Sequence, residues 1–139
     1  MHLKVEHSVK LSVVIVNWNV EPLLKDCIAS VQDSGFDDLE IIVVDNGSYD
    51  KSCDMCRVCY PNVKLIENRD NLGFALANNI GIRAAQGEYV MLLNPDTIVK
   101  PGALGRLVRF MDGHQDIGVT GPKVLEKDGA LQGSARTFP

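Results

Sequence analysis

The stretch LSVVIVNWN, Leu11 to Asn19, decides the fold. Leu11 to Val16 is an apolar run rich in β-branched side chains. A strand of that pattern is buried on both faces, as in a parallel sheet covered by helices. Asn17-Trp18-Asn19 then breaks it, and Glu21-Pro22 opens a helix to about Gln32, with Pro22 tolerated in the first turn.

The rest of the chain repeats this alternation. Leu39 to Val44 predicts a second buried strand, stopped by Asp45-Asn46-Gly47-Ser48. Tyr49 to Cys59 predicts a helix with Ser48 or Asp50 as its N-cap, closed by Pro61. Val63 to Ile66 predicts a short third strand, and Phe74 to Ala85 an Ala-rich helix that ends at Gly87. Tyr89 to Leu93 predicts a fourth strand, stopped by Asn94-Pro95-Asp96. Pro101 to Met111 predicts a further helix and Ile117 to Thr120 a fifth strand, with loop and short strands around an Asp128-Gly129 turn to Phe138. Strand and helix alternating at this spacing imply right-handed βαβ units. The expected fold is α/β, a three-layer αβα sandwich with a mostly parallel sheet. No repeat or linker interrupts it, so residues 1–139 are read as one domain with a flexible lead-in over 1–10.

Hydrophobic residues make up 45% of the 139, enough for a core and too many for a disordered chain. The longest apolar runs fall far short of the ~20 residues that span a bilayer. MHLKVEHSVK at the N-terminus carries charges and no apolar h-region, so it is not read as a signal peptide. The formal charge is −4 with Lys and Arg scattered, which argues against nucleic acid as a partner. Any anion must be held locally, by a loop, a helix end or a metal. Cys53, Cys56 and Cys59 follow a Cys-x-x-Cys-x-x-Cys spacing that can bind metal. On a helix, thiols so spaced drift around the axis and do not converge on one ion, and Cys27 belongs to another helix. The four cysteines are read as reduced thiols of a cytoplasmic protein.

Ligands of open parallel sheets bind beyond the carboxyl ends of the strands. Three strands end there in polar clusters: Asn17-Trp18-Asn19, Asp45-Asn46-Gly47-Ser48 and Asn94-Pro95-Asp96. Each alone is ordinary turn chemistry. Together they bring a flat aromatic, several amides and two carboxylates to one rim. That inventory suits a nucleotide. Trp18 can stack on a base, Asn46 can accept from an imide N–H, and Asp45 or Asn17 can order the loop. The P-loop and G-x-G-x-x-G fingerprints are absent, so phosphates need another cradle. Asp96 is a hard oxygen ligand, and Mg²⁺ or Mn²⁺ is typically held by one or two carboxylates plus substrate phosphates.

VVIVNWN, IIVVDNGSYD, NLGFALANNIGI, GEYVMLLNPDT and the PGAL that follows resemble, in order and spacing, the family 2 glycosyltransferases of GT-A fold. Within that family the chain is most similar to the bacterial rhamnosyltransferase-like branch. The resemblance runs from Leu11 to about Thr137. It implies transfer of a sugar from a nucleotide-diphosphate donor, dTDP- or UDP-linked, to a hydroxyl of a glycan or lipid-linked acceptor. The setting it implies is polysaccharide or cell-envelope synthesis, with inversion at the anomeric carbon. It implies nucleoside contacts at Val16 and Trp18, beside Asn17. Asp45 matches the first acid of the family's Asp-Asp-Gly-Ser pattern, and Asn46 stands where the second acid meets the base. Asn71, Gly73 and Asn79 match a stretch near the diphosphate. Asn94-Pro95-Asp96 occupies the family's Asp-x-Asp position: Asp96 matches the metal ligand, and Asn94 replaces the first acid.

The family's general base lies in the second half of its domain. The chain is therefore read as a truncated domain, the donor-binding half, with little turnover alone. Asp112, Asp116, Glu126 and Asp128 are read as surface or turn acids, and His2, His7 and His114 as surface residues, so no catalytic base is assigned. The expected place is the cytoplasm, free or peripheral to the inner face of the membrane, with no integral segment. Two other readings stay open. One is a nucleotide-binding module without transfer chemistry. The other is a nucleotidyltransferase, which would carry a Gly-rich, basic loop where this chain has Asn17-Trp18-Asn19-Val20-Glu21.

Overall fold

The order of elements is β1 (Leu11–Asn17), α1 (Glu21–Gln32), β2 (Leu39–Asp45), α2 (Ser52–Cys59), β3 (Lys64–Glu67), α3 (Phe74–Ala84), β4 (Tyr89–Leu93) and α4 (Ala103–Gly113). This computed structural model describes residues 9–133. The expectations for residues 1–8 and for the loop at 134–139 lie outside the described residues. The strands form one parallel sheet in the order β3-β2-β1-β4.

The mostly apolar pattern of β1 and β2, interrupted at Ser12 and Glu40, follows from helices on both faces. Leu11, Val13 and Ile15 of β1, with Ile41 and Val43 of β2, pack on Leu24 and Ile28 of α1, Met55 of α2 and Leu104 of α4. Val14, Ile42 and Val44 point the other way and pack under Ala77 of α3. Burial of each such side chain contributes about 1.5–3 kcal/mol. Gly81 lets α3 lie close on the sheet: a Cβ there would overlap the Val14 side chain and press on Val44. These are the three expected layers.

Three expectations need correction. Ile117 to Thr120 forms no strand; it is irregular, and Val119 is exposed. This run, which contains Gly118, does not pair with β4, and an isolated antiparallel bridge, Leu125 to Leu131, forms around the Asp128-Gly129 turn. Helix α2 starts at Ser52 rather than Tyr49. Its cap position is Lys51, while Asp50 accepts a hydrogen bond from the Ser52 amide at 2.9 Å and Ser48 is used elsewhere. Helix α4 begins at Ala103, after Gly102 in the left-handed region.

The register aligns the polar stops. Asn17 pairs with Asp45, and Asp45 with Glu67. The chain builds outward from β1 to β3, then returns to place β4 on the other side of β1. That reversal is the topological switch point, where such sheets open a crevice.

Candidate functional site

A cleft of about 270 Å³ opens at this switch point, lined by Val16, Trp18, Val20, Asn46, Asn71, Phe74 and Pro95. Trp18 is 51% exposed and Phe74 62%, so two aromatic rings stand largely uncovered at one rim. Flat exposed rings beside an apolar floor form a stacking platform for a planar group.

The loops around the cleft are cross-tied. Asn17 is buried, and its Nδ2 donates to Asp45 Oδ1 at 2.8 Å and to Ser48 Oγ at 3.2 Å. Asp45 Oδ2 accepts from the Ser48 amide at 2.8 Å. Ser48 Oγ accepts from the Asn19 amide at 2.9 Å, and Asn19 Oδ1 accepts from the Tyr49 amide at 2.9 Å. Asn19 holds a φ of 54°, a left-handed conformation that Asn tolerates better than most residues. Asp45 and Asn17 thus order the loops after β1 and β2 from beneath. Asp50 extends the tie, its carboxylate accepting from the Glu21 amide at 3.0 Å as well as from Ser52, so it joins the starts of α1 and α2. Burial works against its ionised form, but the hydrogen bonds from Ser52 and Glu21 outweigh it and hold its carboxyl below the usual range.

Asn46 is the most heavily used side chain. Its Oδ1 accepts from Asn68 Nδ2 at 3.1 Å and from the Leu72 amide at 3.0 Å. Its Nδ2 donates to Asn71 Oδ1 at 2.7 Å and to the Gly73 carbonyl at 3.4 Å. Both acceptor positions of an amide oxygen are then taken. A base imide N–H does not find the free acceptor there that the sequence suggested; Asn46 instead clasps the turn before α3. Gly47, at φ 78°, runs so close to that turn that a Cβ would sit 3.0 Å from the Asp70 carbonyl carbon. Helix α3 starts after Gly73 with no side-chain cap, so its first amides are open beside the cleft.

The fourth side is Asn94-Pro95-Asp96-Thr97, a β-turn closed by the Thr97 amide donating to the Asn94 carbonyl at 3.2 Å. Pro95 lines the cleft, while Asn94 and Asp96 are exposed next to it. No group of three His, Cys, Asp or Glu side chains gathers as a metal cage among the described residues. One exposed carboxylate fits a cation that arrives with a diphosphate, since such ions keep most of their ligands from water and phosphate.

Of the residues expected at the site, Val16, Trp18, Asn46 and Asn71 line the cleft. Asn17 and Asp45 lie buried behind it, Gly73 sets the start of α3, and Asn94 and Asp96 stand at its edge. Asn79 is exposed on α3 and does not line it; the buried amide is Asn78, whose Nδ2 donates to the Phe74 carbonyl at 2.9 Å. Phe74 and Val20 also line the cleft, and sequence reasoning misses both as site residues. An aromatic placed directly after a helix-starting glycine was the available signal for Phe74. The spare acids lie elsewhere: Asp112 pairs with Lys10 at 2.8 Å, and Asp128 accepts from the Ala130 amide at 2.9 Å.

The family model for glycosyl transferase family 2 matches residues 12–137. The chain belongs to glycosyl transferase family 2. It is 34% identical to the minor teichoic acid biosynthesis protein GgaB of Bacillus subtilis over 76% of this chain and 12% of that one. It is 29% identical to the N-acetylglucosaminyl-diphospho-decaprenol L-rhamnosyltransferase of Mycobacterium tuberculosis, over 93% of this chain and 46% of the relative. It thus spans less than half the length of these relatives. Among solved structures, TarS of S. aureus in complex with UDP-GlcNAc superposes with a TM-score of 0.71 at 24% identity, over 76% of this chain and 32% of that one. The mannosyltransferase PcManGT of Pyrobaculum calidifontis, in complex with GDP-Man and Mn2+, superposes at 0.68 and 24% identity, over 73% and 32%. These likenesses show a shared GT-A fold. No helix among the described residues is long and apolar enough to cross a membrane.

Proposed function

We propose that this chain is the donor-binding part of a glycosyltransferase that uses a nucleotide-diphosphate sugar in building a cell-envelope glycan. The observation that carries the reading is the cleft at the switch point, with two exposed aromatic rings on one side and the free carboxylate of Asp96 beside the other. Trp18 and Phe74 would sandwich or flank the base over Val16. Asp45, Asn17 and Asn46 would hold the loops in place. Asn71 and the open first turn of α3 would face the diphosphate, with Gly73 and Asn79 as supports.

Asp96 would hold the divalent cation, Mg²⁺ or Mn²⁺, with Asn94 offering only a neutral amide. When bound, the cation would offset the charge that develops on the departing nucleoside diphosphate. The donors proposed remain dTDP- and UDP-sugars. With the Asn46 oxygen engaged, the backbone at Val16 becomes the group proposed to meet the pyrimidine edge. The acceptor is proposed to be a glycan or lipid-linked hydroxyl, as the names of the relatives suggest. No general base is assigned, because no cleft-lining side chain is titratable.

Calorimetric titration of UDP, dTDP and GDP, each with and without Mn²⁺, tests the reading on wild type and Asp96→Ala. Expected is binding of at least one nucleotide, strengthened by Mn²⁺ in wild type only. No binding, or an unchanged metal effect in Asp96→Ala, overturns it.

A further inference from the structure

The turn that presents Asp96 has no regular structure behind it. Between Leu93, the end of β4, and Ala103, the start of α4, the chain makes neither strand nor helix. What fixes it is α1, at three points along one side of that helix and the turn that follows. Cys27 Sγ donates to the Asn94 carbonyl at 3.6 Å. Ser30 Oγ accepts from the Val99 amide at 2.9 Å while donating to the Cys27 carbonyl at 2.7 Å. The Ser34 carbonyl accepts from the Gly102 amide at 2.8 Å.

These contacts are spaced by about one helical turn, so they lie on one face. Cys27 is fully buried in the main core beside Leu24 and Ile28. The thiol therefore stands in the packed core and reaches up to the first residue of the turn. Burial pushes it up to about 12, so it remains a neutral S–H donor through the ordinary pH range.

A cation held by a single protein carboxylate depends on where that carboxylate stands, because no second acid corrects a misplacement. Asn94 occupies the position where a second acid would have helped. We propose that Cys27 and Ser30 are positioning residues for the cation site: they clamp the Asn94–Val99 segment to α1 and so set the place of the Asp96 carboxylate. This rests on Asp96 being the cation ligand.

The test uses the same chain with UDP, dTDP and GDP, and compares nucleotide affinity with and without Mn²⁺. The quantity read is the gain that Mn²⁺ gives. Cys27→Ala and Ser30→Ala are each expected to cut that gain by about threefold or more, the worth of one lost hydrogen bond. Metal-free affinity is expected to stay within about twofold, since neither residue lines the cleft. Cys27→Ser, which keeps a donor and nearly the same volume, is expected to recover part of the gain. A full Mn²⁺ gain in both alanine variants, with Asp96→Ala abolishing it, overturns the clamp and leaves the cation ligand standing. An equal loss of metal-free and metal-dependent affinity also overturns it, as that marks general destabilisation. If wild type gains nothing from Mn²⁺, or Asp96→Ala keeps the gain, both readings fall together.

Discussion

Asn46 and Asp96 both stand at strand ends, but their side chains are placed oppositely. Asn46 is buried with every polar atom engaged, whereas Asp96 is exposed. Replacing Asn46 by Asp would restore the family's commoner acid, yet it is expected to destabilise. A carboxylate could still accept from Asn68 and Leu72 but could no longer donate to Asn71 Oδ1 or the Gly73 carbonyl, leaving acceptor facing acceptor. A loss of about 1–3 kcal/mol in urea unfolding is expected. Gly47→Ala should cost about 1–2 kcal/mol from its left-handed φ alone, before the contact with Asp70 is counted, read by the same measurement. The sequence showed these residues because apolar strands stopped at them. It could not show which were free, because the partners of Asn46 lie 22 to 27 positions away. Freedom of a side chain is set by non-local contacts, and spacing carries no record of them.

Elements were more legible than contacts. The pattern of apolar residues marked β1, β2, β4, α1 and α3 nearly to their ends, most plainly in β1 and β2, where burial on both faces leaves a nearly continuous apolar run. The fifth strand failed because the run at Ile117, which holds Gly118, does not pair with the open edge of β4, and local pattern does not report pairing. Helix α3 yields a prediction that reverses the usual rule. Gly→Ala inside a helix normally stabilises by about 1 kcal/mol. At Gly81 the added methyl would overlap Val14, so Gly81→Ala is expected to lower stability by about 1–3 kcal/mol, visible as a lower melting temperature. At the cleft end of the sheet, Asp50 ties α1 to α2. Its carboxyl is lowered from the ordinary 3.8 in the folded state, so its contribution is complete above that value and is lost as pH falls through the lowered one. Melting temperature should therefore drop less steeply below pH 3.8 in Asp50→Asn than in wild type, with Asp50 mostly exposed and the difference small.

For the whole molecule, the sheet has one well-covered side and one weakly covered end. Val90 is 41% and Leu92 49% exposed on the α3 face of β4, and no strand pairs with the outer edge of β4 among the described residues. Such an edge invites pairing with another chain. Purified 1–139 is expected to self-associate with rising concentration, and Leu92→Lys to reduce this, as light scattering would record. The β3-β2-β1-β4 order has a further consequence, for the route by which the molecule assembles. Leu11 pairs with Leu39 on one side and with Tyr89 on the other, so β4 can dock only after a far longer loop has closed. Contacts of such range slow folding. The turn bearing Asp96 hangs from β4, so the cation-holding corner would be the last part of the cleft to become native, after Trp18 and Asn46 have been brought together by the first two strands.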